Sequence, residues 1–217
     1  MLENITINWQ SSVRIETKDA TVYFDPWQIK GQAHDADIIC ISHSHFDHFS
    51  PEDIEKVSNE NTVLVAPASI RGEVLGQTGI SEENTEFAGP GEMISIGEVT
   101  IETVPAYNVG KDFHKKEYDW LGYVMEADGL RYYFAGDTDA NADTRQVKCD
   151  VALVPIGGHY TMNSDEAAGL VNEIAPKYAV PMHFGCVIGA GEKSDDRKFA
   201  SKINKNTEVV FKLHKKG

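Results

Sequence analysis

The first part of the chain alternates apolar and polar residues in short runs, separated by turn residues or polar residues. The runs ITINWQ, SVRIET and TVYFD have the period of two that predicts short strands. The next run, ADIICIS, is continuously apolar and has the length of a strand buried on both faces. It leads directly into HSHFDH, so the histidines of this motif are expected on a loop at the carboxyl end of a strand.

The rest of the chain combines apolar runs with helical spacing. A helix is predicted to begin at Ser50-Pro51, because serine can cap a helix and proline fits its first position. Another helix is predicted at SDEAAGLVNEI with Ser164 as its cap, and Asp128-Gly129 predicts a tight hairpin turn. Further strands are predicted at NTVLVAP, 93–96, 99–104, WLGYVMEA, LRYYFA, DVALVPI, YAVPMH and EVVFKL, and further helices at about 69–76 and 195–203.

This order of elements predicts an α/β fold in which helices cover the outer faces of sheets, as a single domain over residues 1–217. The composition, 41% hydrophobic and 25% charged, is ordinary for a soluble globular protein. No apolar stretch approaches the length of a membrane span, and the N-terminus does not resemble a secretory signal. The three cysteines, Cys40, Cys149 and Cys186, form neither a disulfide framework nor a zinc-finger spacing. A cytoplasmic location is therefore expected.

The net charge of −14 disfavours nonspecific binding to nucleic acid or to anionic lipid. A small-molecule substrate is expected instead. That substrate could be anionic, because a bound dication reverses the sign of the local field. The sequence does not address the oligomeric state.

Candidate chemistry is concentrated in HSHFDH, where His43, His45, Asp47 and His48 lie within six residues. A short loop can direct several such ligands to one point, and imidazole suits zinc, iron or manganese. The carboxylate adds the charge that helps to hold a second cation. This motif is therefore predicted to anchor a metal site rather than a solvated polar loop.

The same motif, after a buried strand, resembles the HxHxDH signature of the metallo-β-lactamase superfamily. The segments FDPW at 24–27, FAGDT at 134–138, PIGG at 155–158 and PMHFG at 181–185 extend the resemblance over most of the chain. They are similar to the branch that contains ascorbate-6-phosphate lactonase and uncharacterised hydrolases. The resemblance implies a four-layer αββα sandwich with metals at one edge of its two sheets. It further implies that His43 and His45 bind a first metal, that Asp47, His48 and His183 bind a second, and that Asp137 bridges them.

One departure from the family pattern concerns the third histidine of the first metal. The family supplies it from a loop after a mid-chain strand, where this chain reads Val104-Pro105-Ala106-Tyr107-Asn108 and has His114 six residues later. Three alternatives are open: His114 reaches back as the ligand, Asn108 contributes a weak oxygen, or the first site is incomplete. We predict His114, because imidazole is the stronger ligand, with a bend at Gly110 and Phe113 packed inward.

Two further residues are candidates for supporting roles. His159 follows a buried strand and a Gly-Gly pair, where it could protonate a leaving group or remain a loop histidine without a role. Asp25 is expected to accept a hydrogen bond from a ligand histidine. His34 and His214 are interpreted as surface residues, and Trp27, Phe113 and Trp120 as core or loop residues rather than pocket walls.

The predicted activity is metal-dependent hydrolysis with two divalent cations, zinc first and manganese or iron as alternatives. A metal-bound hydroxide would attack the substrate while Asp47 orients it, and His159 or water would protonate the leaving group. The substrate is predicted to be a lactone or other carboxylic ester, ahead of a phosphodiester and an amide. The alternatives are a nuclease of the superfamily, a redox di-iron protein of the same fold, and a noncatalytic metal-binding or sensor module.

Overall fold

A computed structural model describes residues 2–185 and 196–213. Cys186, His214 and the first residue of the predicted 195–203 helix lie outside the described residues. No helix among the described residues is both long enough and apolar enough to cross a membrane.

The first sheet has six strands that follow one another in chain order. The first three are antiparallel neighbours, and the pairings from the third to the sixth strand are parallel. The sixth strand was not predicted, because TEFA is too short to show a pattern by itself. The strands are β1 (Ile5–Trp9), β2 (Ser12–Glu16), β3 (Thr21–Phe24), β4 (Ile38–Cys40), β5 (Val63–Pro67) and β6 (Thr85–Ala88).

The second sheet has seven strands in the order β13-β12-β11-β10-β9-β8-β7. The hairpin from β9 to β10 turns at Asp128 and Gly129, whose φ angles of 53° and 73° are the left-handed values that a two-residue turn needs. The strands are β7 (Met93–Ile96), β8 (Val99–Pro105), β9 (Leu121–Ala127), β10 (Leu130–Phe134), β11 (Val151–Pro155), β12 (Tyr178–Met182) and β13 (Glu208–Val209).

The last strand is shorter than the predicted EVVFKL. It pairs with β12 only at Glu208 and Val209, and the Val210 amide still donates to Ala179 O at 2.9 Å. The next partner on β12 is Pro181, which has no N–H to donate to the ladder. Pairing between β12 and β13 therefore ends before Pro181.

The described residues form four α-helices: α1 (Pro51–Val57), α2 (Arg71–Gln77), α3 (Ser164–Ile174) and α4 (Asp196–Lys202). Ser50 caps α1 as predicted, since its side chain accepts a hydrogen bond from the Asp53 amide. The predicted cap of α3 is wrong. The side chain of Asn163, rather than that of Ser164, accepts hydrogen bonds from the amides of Asp165 and Glu166. The Glu166 side chain in turn accepts a hydrogen bond from the Asn163 amide. Asparagine three residues before glutamate completes this reciprocal pair of hydrogen bonds.

The layers have the order helix, sheet, sheet, helix. Buried side chains of both sheets, such as Val13 and Phe24 from the first and Tyr123 and Leu153 from the second, form the core between them. Residues of α1 and α2 pack on the outer face of the first sheet, and residues of α3 and α4 on that of the second. The predicted αββα sandwich is confirmed.

Candidate metal centre

The histidines and carboxylates singled out in the sequence meet at one edge of the sandwich, where strands of both sheets end. The HSHFDH segment follows β4, Asp137 follows β10, and His183 follows β12. His48 and Phe49 both donate backbone hydrogen bonds to His45 O, at 2.9 and 2.8 Å. This tight turn folds the motif back on itself, so its side chains face a common point.

One cluster consists of His43, His45 and His114, whose ligand atoms all lie within 4.8 Å of one another. His43 Nε2 is 3.0 Å from His45 Nδ1. His114 Nε2 is 3.3 Å from Asp137 Oδ2. The structure thus brings His114 into one cluster with His43 and His45.

A second cluster consists of Asp47, His48 and His183. Asp47 Oδ2 lies 3.7 Å from the Nε2 atoms of both His48 and His183. The same two nitrogens lie 3.4 and 3.2 Å from Asp137 Oδ1. Asp137 therefore presents one oxygen to each cluster, as a bridging carboxylate would.

The two clusters fit divalent cations. Four atoms held ~2.1 Å from one tetrahedral cation are separated by about 3.4 Å, close to the separations around Asp137. Within the described chain, His48 Nε2, His114 Nε2 and Asp137 Oδ1 are buried and have no hydrogen-bond partner. Buried polar atoms normally have a hydrogen-bond partner. Three atoms without one at the same point therefore indicate a ligand that the protein is built to hold.

Asn108 stands behind His114 rather than in the cluster. Its Nδ2 donates to Tyr160 O at 2.7 Å and lies 3.3 Å from His114 Nδ1, on the side of the ring away from Asp137. The Asn108 amide also donates to His114 O at 2.7 Å, which closes the loop between the two residues. The structure therefore brings His114, rather than Asn108, beside His43, His45 and Asp137.

The bend that carries His114 back differs in part from the prediction. Gly110 has a φ of 72° and His114 a φ of 52°, so the chain turns at both. Lys111 anchors the loop, with its Nζ 2.6 Å from Asp139 Oδ1 and 2.8 Å from Thr161 O. The predicted inward packing of Phe113 is wrong: its side chain is 40% exposed, because Lys111 rather than Phe113 ties the loop down.

Asp25 supports the histidines from behind. It accepts hydrogen bonds from His48 Nδ1 at 2.6 Å and from the Ser42 amide and hydroxyl at 2.7 and 2.5 Å. The Ser42 hydroxyl in turn accepts from His43 Nδ1 at 2.9 Å. With both Nδ1 atoms engaged, His43 and His48 direct Nε2 into the site.

Two residues near the metal centre were not assigned to it from the sequence: Gln10 was not singled out, and Trp120 was interpreted as a core or loop residue. Gln10, at the end of β1, places its Nε2 2.7 Å from Asp47 Oδ2. Trp120 packs against the rings of His43 and His45, with centroids 4.7 and 4.9 Å apart. No local pattern marks either residue, since only the packing of the two sheets brings them to the histidines.

A cavity of about 230 Å³ opens onto the clusters. His159 is not among the described residues that line it. Its exposed ring lies at the rim, with its centroid 5.8 Å from that of Phe113 and 4.5 Å from that of Tyr160. The described residues that line the cavity are His45, Phe46, Asp47, Phe113, His114, Asp137, Tyr160 and His183.

The charges of the site are strongly coupled. Burial, reinforced by neighbouring histidines, keeps the pKa values of His43 and His45 below the ordinary value, so both imidazoles are neutral and ready to bind a cation. Burial opposes protonation of His183 as well, but Asp137 and Asp47 outweigh it and raise its pKa to about 9. Burial likewise disfavours the Asp47 carboxylate, yet His183 and His48 lower its pKa to about 2.

We predict that His114→Ala removes one equivalent of bound metal, whereas Asn108→Ala only weakens binding at that position by about 10- to 100-fold. The reason is that His114 Nε2 faces Asp137, while Asn108 contacts only the far side of that ring. Metal content and affinity of the two purified variants would be compared with those of wild type. Normal binding by His114→Ala together with a lost equivalent in Asn108→Ala would reverse the assignment.

We predict that metal-free protein becomes less stable as the pH rises from about 6.5 to 9. The raised pKa of His183 makes its stabilising contribution complete below about 6.5 and removes it as the pH passes through about 9. A pKa raised from about 6.5 to about 9 makes this loss of order 3 kcal/mol. Melting temperatures of chelator-treated protein would show the fall and His183→Gln would flatten it, whereas a melting temperature that rises over this interval would contradict the prediction.

Comparisons with known proteins identify the family of the chain. A family model described as a β-lactamase superfamily domain matches residues 4–183. A metal-dependent hydrolase of Thermococcus onnurineus is 32% identical over 188 residues, covering 84% of this chain and 81% of that protein. A metal-dependent hydrolase of Thermococcus kodakarensis is 31% identical over the same length and with the same coverage.

Solved structures show the same fold. A Parabacteroides distasonis protein described as a metal-dependent hydrolase superposes with a TM-score of 0.80 at 26% identity, covering 97% of this chain and 93% of that one. A metallo hydrolase of Ignicoccus hospitalis superposes with a TM-score of 0.77 at 24% identity, covering 95% and 93%. The family match spans most of the chain, from the first strand to His183, and so this chain belongs to the metallo-β-lactamase superfamily.

Proposed function

We propose that this metal-dependent hydrolase cleaves a small, uncharged carboxylic ester or lactone. The observation that carries the proposal is the cavity of about 230 Å³ over the metal centre, whose floor is made of histidines and carboxylates and whose walls include three aromatic rings. A site with apolar walls and a few convergent polar groups is the usual form of a small-molecule site.

Two positions for divalent cations are proposed. His43, His45 and His114 would hold one, Asp47, His48 and His183 the other, and Asp137 would contribute an oxygen to each. When bound, such cations supply a nucleophile from water at neutral pH and positive charge against the developing oxyanion. Zinc is the first candidate and manganese or iron the alternatives, because imidazole and carboxylate ligands suit all three.

Asp47 would orient the attacking water. It lines the cavity, and its low pKa of about 2 keeps it ionised at neutral pH. Its Oδ2 is already engaged by Gln10 and faces His183. A carboxylate held in this way can accept a hydrogen bond from water and fix its direction without taking the proton away.

His159 is proposed to supply the proton for the leaving group. Its ring lies against Phe113 and Tyr160, which both line the cavity, so it stands at the mouth through which a leaving group departs. Its exposure lets it regain a proton from solvent after each turnover. Asp47 and His159 would thus act at opposite ends of the scissile bond.

The walls of the cavity favour an uncharged substrate over the anionic one left open by the sequence. Among the described residues no lysine or arginine lines the cavity. The nearby Lys111 is engaged by Asp139 and Thr161 O. Phe46 is 66% exposed and Phe113 40% exposed, and they offer apolar surface to a substrate. The described lining of the cavity offers no cationic side chain to anchor a phosphodiester. The net charge of −14 disfavours nucleic acid.

The test is a panel of neutral aryl esters, alkyl esters and lactones beside bis-aryl phosphates, assayed with metal-loaded protein. We expect turnover of the neutral esters or lactones. We expect Asp137→Ala to lose at least ~10³-fold of that activity, since several kcal/mol of transition-state stabilisation depend on the cations. Asp143→Ala is the matched control, because this carboxylate pairs with Tyr107 and Lys116 away from the clusters. Preferential turnover of the phosphates, or full activity of Asp137→Ala, would contradict the proposal.

The role of His159 is tested by varying the leaving group. We predict that His159→Ala slows hydrolysis of an alkyl ester by about 10²-fold but leaves a nitrophenyl ester of the same acid nearly unchanged. An alkoxide must be protonated to depart, whereas nitrophenolate need not be. Equal effects on both esters, or no effect on either, would remove His159 from the mechanism.

A further inference from the structure

Two pairs of aromatic rings stand at the cavity over the metal centre. Phe46 packs edge-on against Trp27, with ring centroids 6.0 Å apart and an angle of 80° between the rings. Phe113 packs edge-on against Tyr160, with a centroid distance of 4.7 Å and an angle of 81°. Phe46, Phe113 and Tyr160 line the cavity, and in the described part of the chain no ring contact joins one pair to the other. The cavity therefore has two separate apolar walls.

The HSHFDH motif itself places Phe46. This residue lies between His45 of the first cluster and Asp47 of the second, at the turn in which the amides of His48 and Phe49 donate to His45 O. Its two neighbours belong to the clusters, whereas its own ring is 66% exposed. The Phe46 ring is therefore an apolar surface directly beside both clusters along the chain.

Trp27 holds this exposed ring in place. Trp27 is half-buried, and its amide donates to Ser12 Oγ at 3.1 Å, which ties its backbone to the start of β2. Phe46 packs against the Trp27 indole instead of extending freely into solvent. Exposed apolar surface beside a polar cavity is typical of a binding surface, and a surface that is fixed in advance lowers the entropic cost of binding.

The volume of the cavity limits what the walls can hold. A molecule of liquid water occupies ~30 Å³, so a cavity of about 230 Å³ holds about eight groups of that size. An ester group and the carbon next to it occupy about half of this space, which leaves room for about four further carbons. An acetyl group leaves part of the cavity empty, and a long acyl chain exceeds it.

The position of His159 assigns the two walls to the two sides of an ester. Its ring lies against those of Phe113 and Tyr160, with centroid distances of 5.8 and 4.5 Å. No ring contact within the described residues joins it to Phe46 or Trp27. Because the proposed function places the leaving alcohol beside His159, the alcohol lies at the wall of Phe113, and the acyl group lies at the wall of Phe46.

We propose that the pair of Phe46 and Trp27 is the binding site for the acyl group of the substrate, and that the pair of Phe113 and Tyr160 binds its alcohol group. Phe46 contacts the acyl chain, and Trp27 is the positioning residue behind it. The preferred substrate is an uncharged ester with an acyl group of about four to six carbons. This inference rests on the proposed ester hydrolysis, and it adds the side of the scissile bond at which each wall acts.

The first experiment compares two series of esters with metal-loaded protein. One series joins nitrophenol to acetyl, butanoyl or hexanoyl groups, and the other joins butanoate to methanol or butanol. We expect Phe46→Ala to lower the preference for hexanoyl over acetyl in kcat/KM by about tenfold, mainly through KM. Phe113→Ala should instead lower the preference for the butyl over the methyl ester. Phe211→Ala is the matched control, because Phe211 is 44% exposed and is not among the described residues that line the cavity.

The second experiment measures binding without turnover. Acetone and pentyl methyl ketone carry the acetyl and hexanoyl groups but cannot be hydrolysed. In ligand-observed NMR titrations we expect Phe46→Ala to bind pentyl methyl ketone about tenfold more weakly than wild type, whereas Phe211→Ala binds it normally. Wild type that hydrolyses no neutral ester contradicts the proposed function, and the ketone titration still decides whether Phe46 binds an acyl chain.

The outcomes separate two specific walls from general apolar surface. Equal effects of Phe46→Ala and Phe113→Ala on both ester series would overturn the assignment of the walls. An unchanged acyl preference or an unchanged ketone affinity in Phe46→Ala would overturn the role of Phe46. Phe46→Leu removes the ring but keeps an apolar side chain, and its smaller loss of the same preference decides the question if Phe46→Ala does not fold by circular dichroism.

Discussion

The burial of Asp137 between two groups of imidazoles is the interaction on which the site depends. A carboxylate that is 4% exposed would be strongly destabilising without compensation, because burial disfavours its charge. His183 and His48 outweigh that penalty and hold the pKa of Asp137 well below its usual range. Its two oxygens face the two clusters separately, so the same charge that organises the metal-free site also defines where two cations would share a ligand. The two sheets bring their strand ends to one edge. Asp137 pairs there with the histidines that follow those ends.

Backbone strain at the same edge has a common cause. Gln10, Asp25, His114 and His183 all have φ between 45° and 55°, and each follows a strand or closes a loop at the metal centre. A residue with a left-handed backbone changes the direction of the chain where an extended strand ends. Each such residue costs of order 1 kcal/mol. Buried hydrogen bonds of Asp25, Ser42 and the strand ends accompany these conformations around the candidate ligand atoms.

The sequence predicted those parts of the molecule that depend on local pattern. Alternation gave the strands, Asp128-Gly129 gave the hairpin, and the short spacing of HSHFDH gave the centre of the site. The prediction failed where the outcome depends on competition between neighbours, as with Asn163 and Ser164 at the start of α3. It also missed Gln10 and Trp120, because each meets the histidines only through the packing of distant strands. His114 is an intermediate case. Its imidazole marked it as a candidate ligand in the sequence. Its position in the folded loop, however, depends on the contact between Lys111 and Asp139, which no spacing rule predicts.

The loop from Asn108 to His114 carries both a candidate metal ligand and part of the cavity wall. His114 turns inward to Asp137 while its neighbour Phe113 forms a wall of the cavity, so one bend places a candidate ligand and an apolar contact side by side. Lys111 fixes that bend by pairing with Asp139 and Thr161 O, and it is thereby unavailable to an anionic substrate. The departure from the family's usual histidine position therefore has a consequence beyond ligand identity. The loop that brings His114 back also carries Phe113, which adds apolar surface to the wall of the cavity.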